Sequence, residues 1–332
     1  MLKELSTVIS AVALSITLSA GLAVAGKPVI IKFSHVAEEN TPKGQMANKF
    51  RDLVAERLDG KVVVEVFPNS QIFGDNKVLE AMLLGDVQMA APSLSKFARY
   101  SKRLQVFDLP FLFDDMQAVE RFQKSTIGQQ LLDSLQTKGI IGLGYLHNDF
   151  KMFSSNKPLK VPNDAAGLRF RIQSSDVLVA QFRALKAMSL KKPFSNVLTL
   201  LQDNSIDGQE NTWSNIYSKK IFELQPYITV SNHGLVDYLV ITSNKFWLTL
   251  DKDIRVEIKK ALDEAIIFGN QVAETNKIGD RQKIIDSKRS EIITLSSAER
   301  SQWVKIMKPV WKEFENEIGK DLIDAAYKAN RQ

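Results

Sequence analysis

The residues best suited to chemistry lie in one stretch, residues 167–217, which reads GLRFRIQSSDVLVAQFRALKAMSLKKPFSNVLTLLQDNSIDGQENTWSNIY. It opens on a short β-like run carrying Arg169 and Arg171 and closes on a polar DGQEN loop that contains Asn211. A guanidinium donates through a rigid fork that matches the two oxygens of a carboxylate, and an amide on a second element can orient what the fork grips. Successive side chains of a strand face opposite sides, so Arg169 and Arg171 share one face and Phe170 and Ile172 the other. An arginine in an apolar strand needs an anion or water, because burying it alone is costly. On these grounds Arg171 serves equally well as half of an internal ion pair or as a ligand clamp.

Other chemistries find little support. There is no cysteine, and the three histidines, His35, His147 and His233, have no spacing that would build a metal site. No G-x-S-x-G occurs, and His147 is followed by Asn148 and Asp149 without a serine partner. Gly142-Leu143-Gly144 follows a strand-like run but lacks the third glycine of a dinucleotide fingerprint. Asp114-Asp115 flanks an apolar segment and reads as a helix start. No catalytic residue, metal or cofactor is expected.

The elements that must position Arg171 and Asn211 read as α/β throughout. Val29–Ser34 is a strand, a polar loop through Gly44 leads into a helix ending near Leu58, and 61–67 is a second strand. Such strand-helix-strand units favour a parallel sheet covered by helices. Helices are expected at 75–84, 175–185 and 196–203, with strands at 87–91 and 140–146. The segment VFDLPFLFDD (106–115) reads as an apolar, hinge-like connection. EAMLLGDVQMAA (80–91) and LLQDNSIDGQEN (200–211) share a helix-turn-strand pattern, consistent either with two related lobes or with the common look of such turns. Ligands of open α/β sheets sit beyond the carboxyl ends of strands, which would put Ser93 and Asn211 at a cleft. Residues 251–289 contain no proline and read as one long helix that must bridge two lobes or project, or as two helices broken near Gly279. A last helical stretch runs from Ser297 to near Ala329 with Ser296 as its cap.

Residues 1–25 read as an export signal: Lys3 at the start, an apolar run over 8–25, and Ala23-Val24-Ala25 as a small-x-small cleavage pattern before Gly26. A retained anchor is the competing reading, weakened by Ser10, Ser15, Thr17 and Ser19 within the run. Beyond it no stretch approaches the ~20 apolar residues that span a bilayer, so a soluble protein outside the cytoplasm is expected. The formal charge is +6, with basic residues dispersed among acids rather than gathered into a nucleic-acid face. About 300 residues after the signal exceed the usual size of a single core, so two lobes are expected.

Several motifs carry a family resemblance. ENTPKGQMA, VFPNSQIFGDNKVLEAMLLGDVQMAAPSLSK, LQVFDLPFLF, GLRFRIQ, PFSNV, DGQENTWSNIY and SNHGLVDYLV resemble the DctP family, periplasmic solute-binding proteins of TRAP (tripartite ATP-independent periplasmic) transporters, over essentially the whole exported chain. The likeness is closest to the branch that binds C4-dicarboxylates such as succinate, fumarate and malate. It implies two α/β lobes around a ligand cleft crossed by a long helix. The lobes would be drawn from 26–147 with 236–275 and from 148–235 with 276–332. The family's carboxylate-binding arginine falls on Arg171, its cleft asparagine on Asn211, and a second basic residue on Lys151. Lys43 and Ser93 match positions that reach the ligand from the first lobe, and Phe194, Tyr238, His35 and Asn148 match or neighbour cleft-lining positions. Arg169 is left with a structural or surface role. Thr212-Trp213 after QEN and His147-Asn148-Asp149 depart from the commoner patterns, Trp213 adding packing or reshaping the cleft edge. The resemblance further implies a monomer that hands its ligand to small and large membrane subunits. A monocarboxylate or sugar-acid binder, or a sensor of the same fold, is the alternative.

Overall fold

The computed structural model describes residues 27–331; the expected export signal lies outside them. β1 (Val29–Ser34), α1 (Pro42–Leu58) and β2 (Val62–Phe67) form the first strand-helix-strand unit, and α2 (Val78–Leu84) leads into the short β3 (Met89–Ala90). After α3 (Met116–Lys124) and α4 (Thr126–Asp133) comes β4 (Ile140–Phe150), which continues past Lys151 into β5 (Met152–Ser155). β6 (Arg169–Ile172), α5 (Asp176–Ala184), β7 (Met188–Lys191), α6 (Val197–Gln202), β8 (Gly208–Asn211), α7 (Trp213–Ser218) and β9 (Tyr227–Val230) follow. β10 (Leu235–Ser243), α8 (Asn244–Thr249), α9 (Lys252–Ser287), β11 (Glu291–Thr294), α10 (Ser297–Met307), α11 (Val310–Ile318) and α12 (Lys320–Lys328) complete the chain.

The strands form two sheets, and these define two lobes. The first is five-stranded in the order β2-β1-β3-β10-β4, the second six-stranded in the order β11-β9-β5-β8-β6-β7. β1 pairs in parallel with β2 and β3, whereas β10 enters antiparallel between β3 and β4. All nine residues of β10 are buried, as befits the near-continuous apolar run LVDYLVITS in a strand covered on both faces. The chain passes from one sheet to the other at Lys151, returns through 231–234, and is tied at that crossing by the Lys151 N–H donating to Gly234 O at 2.8 Å. A Cβ on Gly234 would lie 2.7 Å from Lys151 Cε, so a larger residue there would have to displace the end of the lysine.

α9 is one unbroken helix of 36 residues, about 54 Å long. Gly279 does not interrupt it, since nothing else in the run breaks the hydrogen-bond ladder. Its buried positions Ile258, Ala261, Leu262, Ala265, Ile266 and Gly269 repeat at helical spacing and pack against the first lobe. Farther along, Ile284 joins the core of the second. The stretch from Ser297 is three helices instead of one, divided at Pro309 and Gly319. α10 buries Trp303 and Met307 in the second lobe's core, while α11 and α12 bury Val310, Phe314, Ile318 and Leu322 against the core of the first. The 106–115 segment is buried between the two cores: Val106, Phe107, Leu109 and Phe113 lie in that of the first lobe, Phe107 stacking on Phe113 with ring centroids 6.2 Å apart, while Phe111 joins that of the second.

Candidate functional site

Between the lobes lies a cavity lined by Arg171, Asn211, Phe194 and Tyr238 together with Lys96 and Asp75. β6 delivers Arg171 because its neighbours Phe170 and Ile172 face the second lobe's core, which turns the intervening arginine the other way. Among the described residues its one side-chain hydrogen bond runs from Nε to Lys192 O, 2.9 Å. The rest of the fork is left for the cavity, with the Phe194 ring centroid 5.7 Å away. Burial lowers its pKa to about 10, opposed by the charges of Glu210 and Asp75. Arg169, by contrast, is spent on Asp207 through two bonds of 3.0 Å.

Asn211 ends β8. Its Oδ1 accepts from Thr212 N at 3.0 Å and from Asn215 Nδ2 at 2.8 Å. With the carbonyl so engaged, the amide has its N–H groups to offer the cavity, the polarity that suits an anion. Tyr238 accepts from Asn148 Nδ2 at 2.7 Å and from Asn215 Nδ2 at 3.4 Å, which leaves its own O–H free to donate.

Lys43, His35, Asn148 and Ser93 stand behind this wall. Thr41 caps α1, accepting from Gly44 N at 3.2 Å, and a Cβ on Gly44 would lie 2.4 Å from Glu38 O. The close turn buries Lys43 completely, with Nζ 3.6 Å from the centre of the Tyr238 ring and no hydrogen-bond partner. Burial brings the Lys43 pKa down to about 8, with Asp75 acting the other way. His35 is also buried with both ring nitrogens unpartnered; burial first and Lys43 second push its pKa to about 3, so the ring is neutral. Ser93 Oγ accepts from Gln173 Nε2 at 2.8 Å, a bond from one lobe to the other.

Lys151 departs from expectation. Its Nζ sits 2.7 Å from Glu210 Oε1, both side chains buried, and the other carboxylate oxygen is 2.8 Å from His233 Nε2. His233 in turn stacks on Phe153 at 3.9 Å and shares a 2.7 Å contact with Ser231 Oγ. Burial alone would raise the Glu210 pKa, but Lys151 and His233 outweigh it and hold the carboxylate at about 2. The lysine charge is therefore consumed inside the protein, at the crossing of the lobes. Trp213 is likewise internal, buried in the second lobe's core beneath the Arg281 guanidinium.

Sequence reasoning missed Lys96, Asp75, Gln173 and Asn215. Lys96 lies three residues after Ser93 in the quoted APSLSK motif, and Asn215 lies one helical turn after Asn211, so spacing offered a signal for both. Lys96 donates to Asn76 Oδ1 at 2.7 Å; burial, then repulsion from Arg171, lowers its pKa to about 8. The lobes also meet through Lys219, whose Nζ is 2.9 Å from Glu38 Oε1 and also donates to Asn69. Among the described residues no cluster of His, Asp and Glu could hold a metal ion, and no helix is long and apolar enough to cross a membrane.

Comparison with known proteins agrees with this architecture. The family model "Bacterial extracellular solute-binding protein, family 7" (DctP) matches residues 33–317. A "C4-dicarboxylate-binding periplasmic protein DctP" of Shewanella loihica is 63% identical over 303 residues, covering 91% of this chain and 90% of the relative. A TRAP periplasmic solute-binding protein of Shewanella oneidensis, solved with bound succinate, is 62% identical with a TM-score of 0.91, covering 91% of this chain and 99% of that one. Another from Pseudomonas aeruginosa, solved with bound L-malate, is 46% identical with a TM-score of 0.84, covering 86% and 100%. Two α/β lobes, an interlobe cavity lined by an arginine fork, and a match over most of the length all place this chain in the DctP family of extracellular solute-binding proteins.

Proposed function

We propose that the protein captures C4-dicarboxylates in the periplasm and delivers them to the small and large membrane subunits of a TRAP transporter. The charge of the cleft carries this reading. Arg171, Lys96 and Lys43 bring three cations, the Asp75 carboxylate removes one, and the two positive charges that remain complement a dianion. The Lys151–Glu210 pair adds nothing, being neutral as a unit.

Arg171 grips one carboxylate through its fork while the Asn211 amide orients it. Lys96 at the wall, with the field of Lys43 behind Tyr238, attracts the second. Closing the lobes excludes water and strengthens each charged contact. No bond is made or broken: the work is capture and release. The names of the relatives, which bind C4-dicarboxylates, succinate and malate, support the same ligand class.

Charged hydrogen bonds are worth about 1.5–3 kcal/mol each, so Arg171→Ala is expected to lower succinate affinity at least ~100-fold by calorimetry. Unchanged affinity would remove Arg171 from the site. A thermal-shift panel of mono- and dicarboxylic acids tests the class, and preference for a monocarboxylate or sugar acid would overturn it.

A further inference from the structure

We propose that Asp75 reads the carbon chain between the two carboxylates. It accepts a hydrogen bond from a hydroxyl at C2 and so favours hydroxylated dicarboxylates over bare ones. This rests on the reading of the cleft as a dicarboxylate site and adds to it a residue that chooses within the class.

The charged groups facing the cavity are otherwise suited to donate, as is the Asn211 amide, while Asn215 keeps a buried Oδ1 without a partner. Arg171 has most of its fork uncommitted, the Asn211 carbonyl is occupied so that its N–H groups are presented, and Lys96 is a cation. The Tyr238 hydroxyl already accepts and so has a hydrogen to give. These suit the oxygens of a dianion. Asp75 is the exception among the charged groups, an anionic acceptor set in a chamber for anions. Among the described residues its one hydrogen bond is long, 3.5 Å from Ser93 N. Its charge acts on Lys43, Lys96, Arg171 and the Tyr238 phenol, which places it among the cleft's cations and not off to one side.

A carboxylate facing a bound dianion costs affinity unless the ligand brings a hydrogen for it. Succinate has no such hydrogen between its carboxylates; malate has one on its C2 hydroxyl. Were Asp75 there only to offset the lysines, it would act on both acids alike. A specific hydrogen bond acts on one of them.

The experiment is calorimetry of wild type, Asp75→Asn and Asp75→Ala with succinate and with L-malate. The ratio of malate to succinate affinity is expected to fall about tenfold in Asp75→Ala. It should fall by a smaller factor in Asp75→Asn, whose amide oxygen still accepts. A ratio that stays constant in both variants, whichever way the two affinities move together, overturns the proposal and leaves the dicarboxylate reading standing. A wild-type protein that binds neither acid removes that reading itself.

Discussion

Lys43 and Lys151 are both completely buried, one beneath the cleft and one where the chain crosses between the lobes, but their surroundings treat the charge in opposite ways. Lys151 has Glu210 at 2.7 Å, and Glu210 has His233 as a second partner. Lys43 has an aromatic face and no acceptor, and the neutral His35 nearby has no partner either. A buried charge with its partners supplied is finished without a ligand. One without them lowers the stability of the empty protein and is compensated only when an anion arrives. On the proposed function, Lys43 is the buried charge left for the ligand to complete.

The contrast can be broken by experiment, beginning at the crossing. Glu210→Ala leaves Lys151 buried without its counter-charge and is expected to cost about 3–5 kcal/mol of stability in urea unfolding. A loss below 1 kcal/mol would show that the triad is not structural. Lys43→Met should do the reverse to the empty protein, leaving its stability equal or higher, while lowering succinate affinity about tenfold.

pH sharpens the same comparison. The Lys43 pKa is about 8 in the folded protein against an ordinary 10.5. Between those values the unfolded chain binds more protons, so the stability of the free protein rises with pH across that window. Affinity for the dianion runs the other way and falls as pH climbs through 8, because the ammonium is lost. Both slopes should flatten in Lys43→Met, Lys96 retaining part of the effect; an unaltered alkaline profile would remove Lys43 from the site. The smallest expected effect belongs to Lys219, partly exposed where it bridges to Glu38 and Asn69. Lys219→Ala should weaken binding only about fivefold, through faster release in stopped-flow measurements, since partly solvated ion pairs contribute about 1 kcal/mol or less.

Much of the fold was legible in local pattern. Period-two alternation set Arg171 apart from Phe170 and Ile172, and the absence of proline from 251 to 289 indicated the long helix. What escaped is what tertiary contact decides. Lys151 reads as a ligand cation until Glu210, 59 residues away in sequence, is brought against it. Asp75 and Lys96 come from first-lobe loops that meet Arg171 only when the lobes are assembled, and no periodicity announces that. The apolar run at 106–115 signalled burial, which the cores of both lobes provide. Pro309, which divides the last helical stretch, was a local signal passed over.

The position of β10 bears on how the chain is made. In the first sheet β3 and β4 never touch; β10, formed from residues 235–243, stands between them. While the ribosome is still producing the second lobe, the first therefore has two unpaired strand edges and a gap at its centre. The nascent protein cannot settle its earlier half until most of its length exists. If the chain is exported as proposed, strand order of this kind would favour threading before folding, with no slow chemical step required.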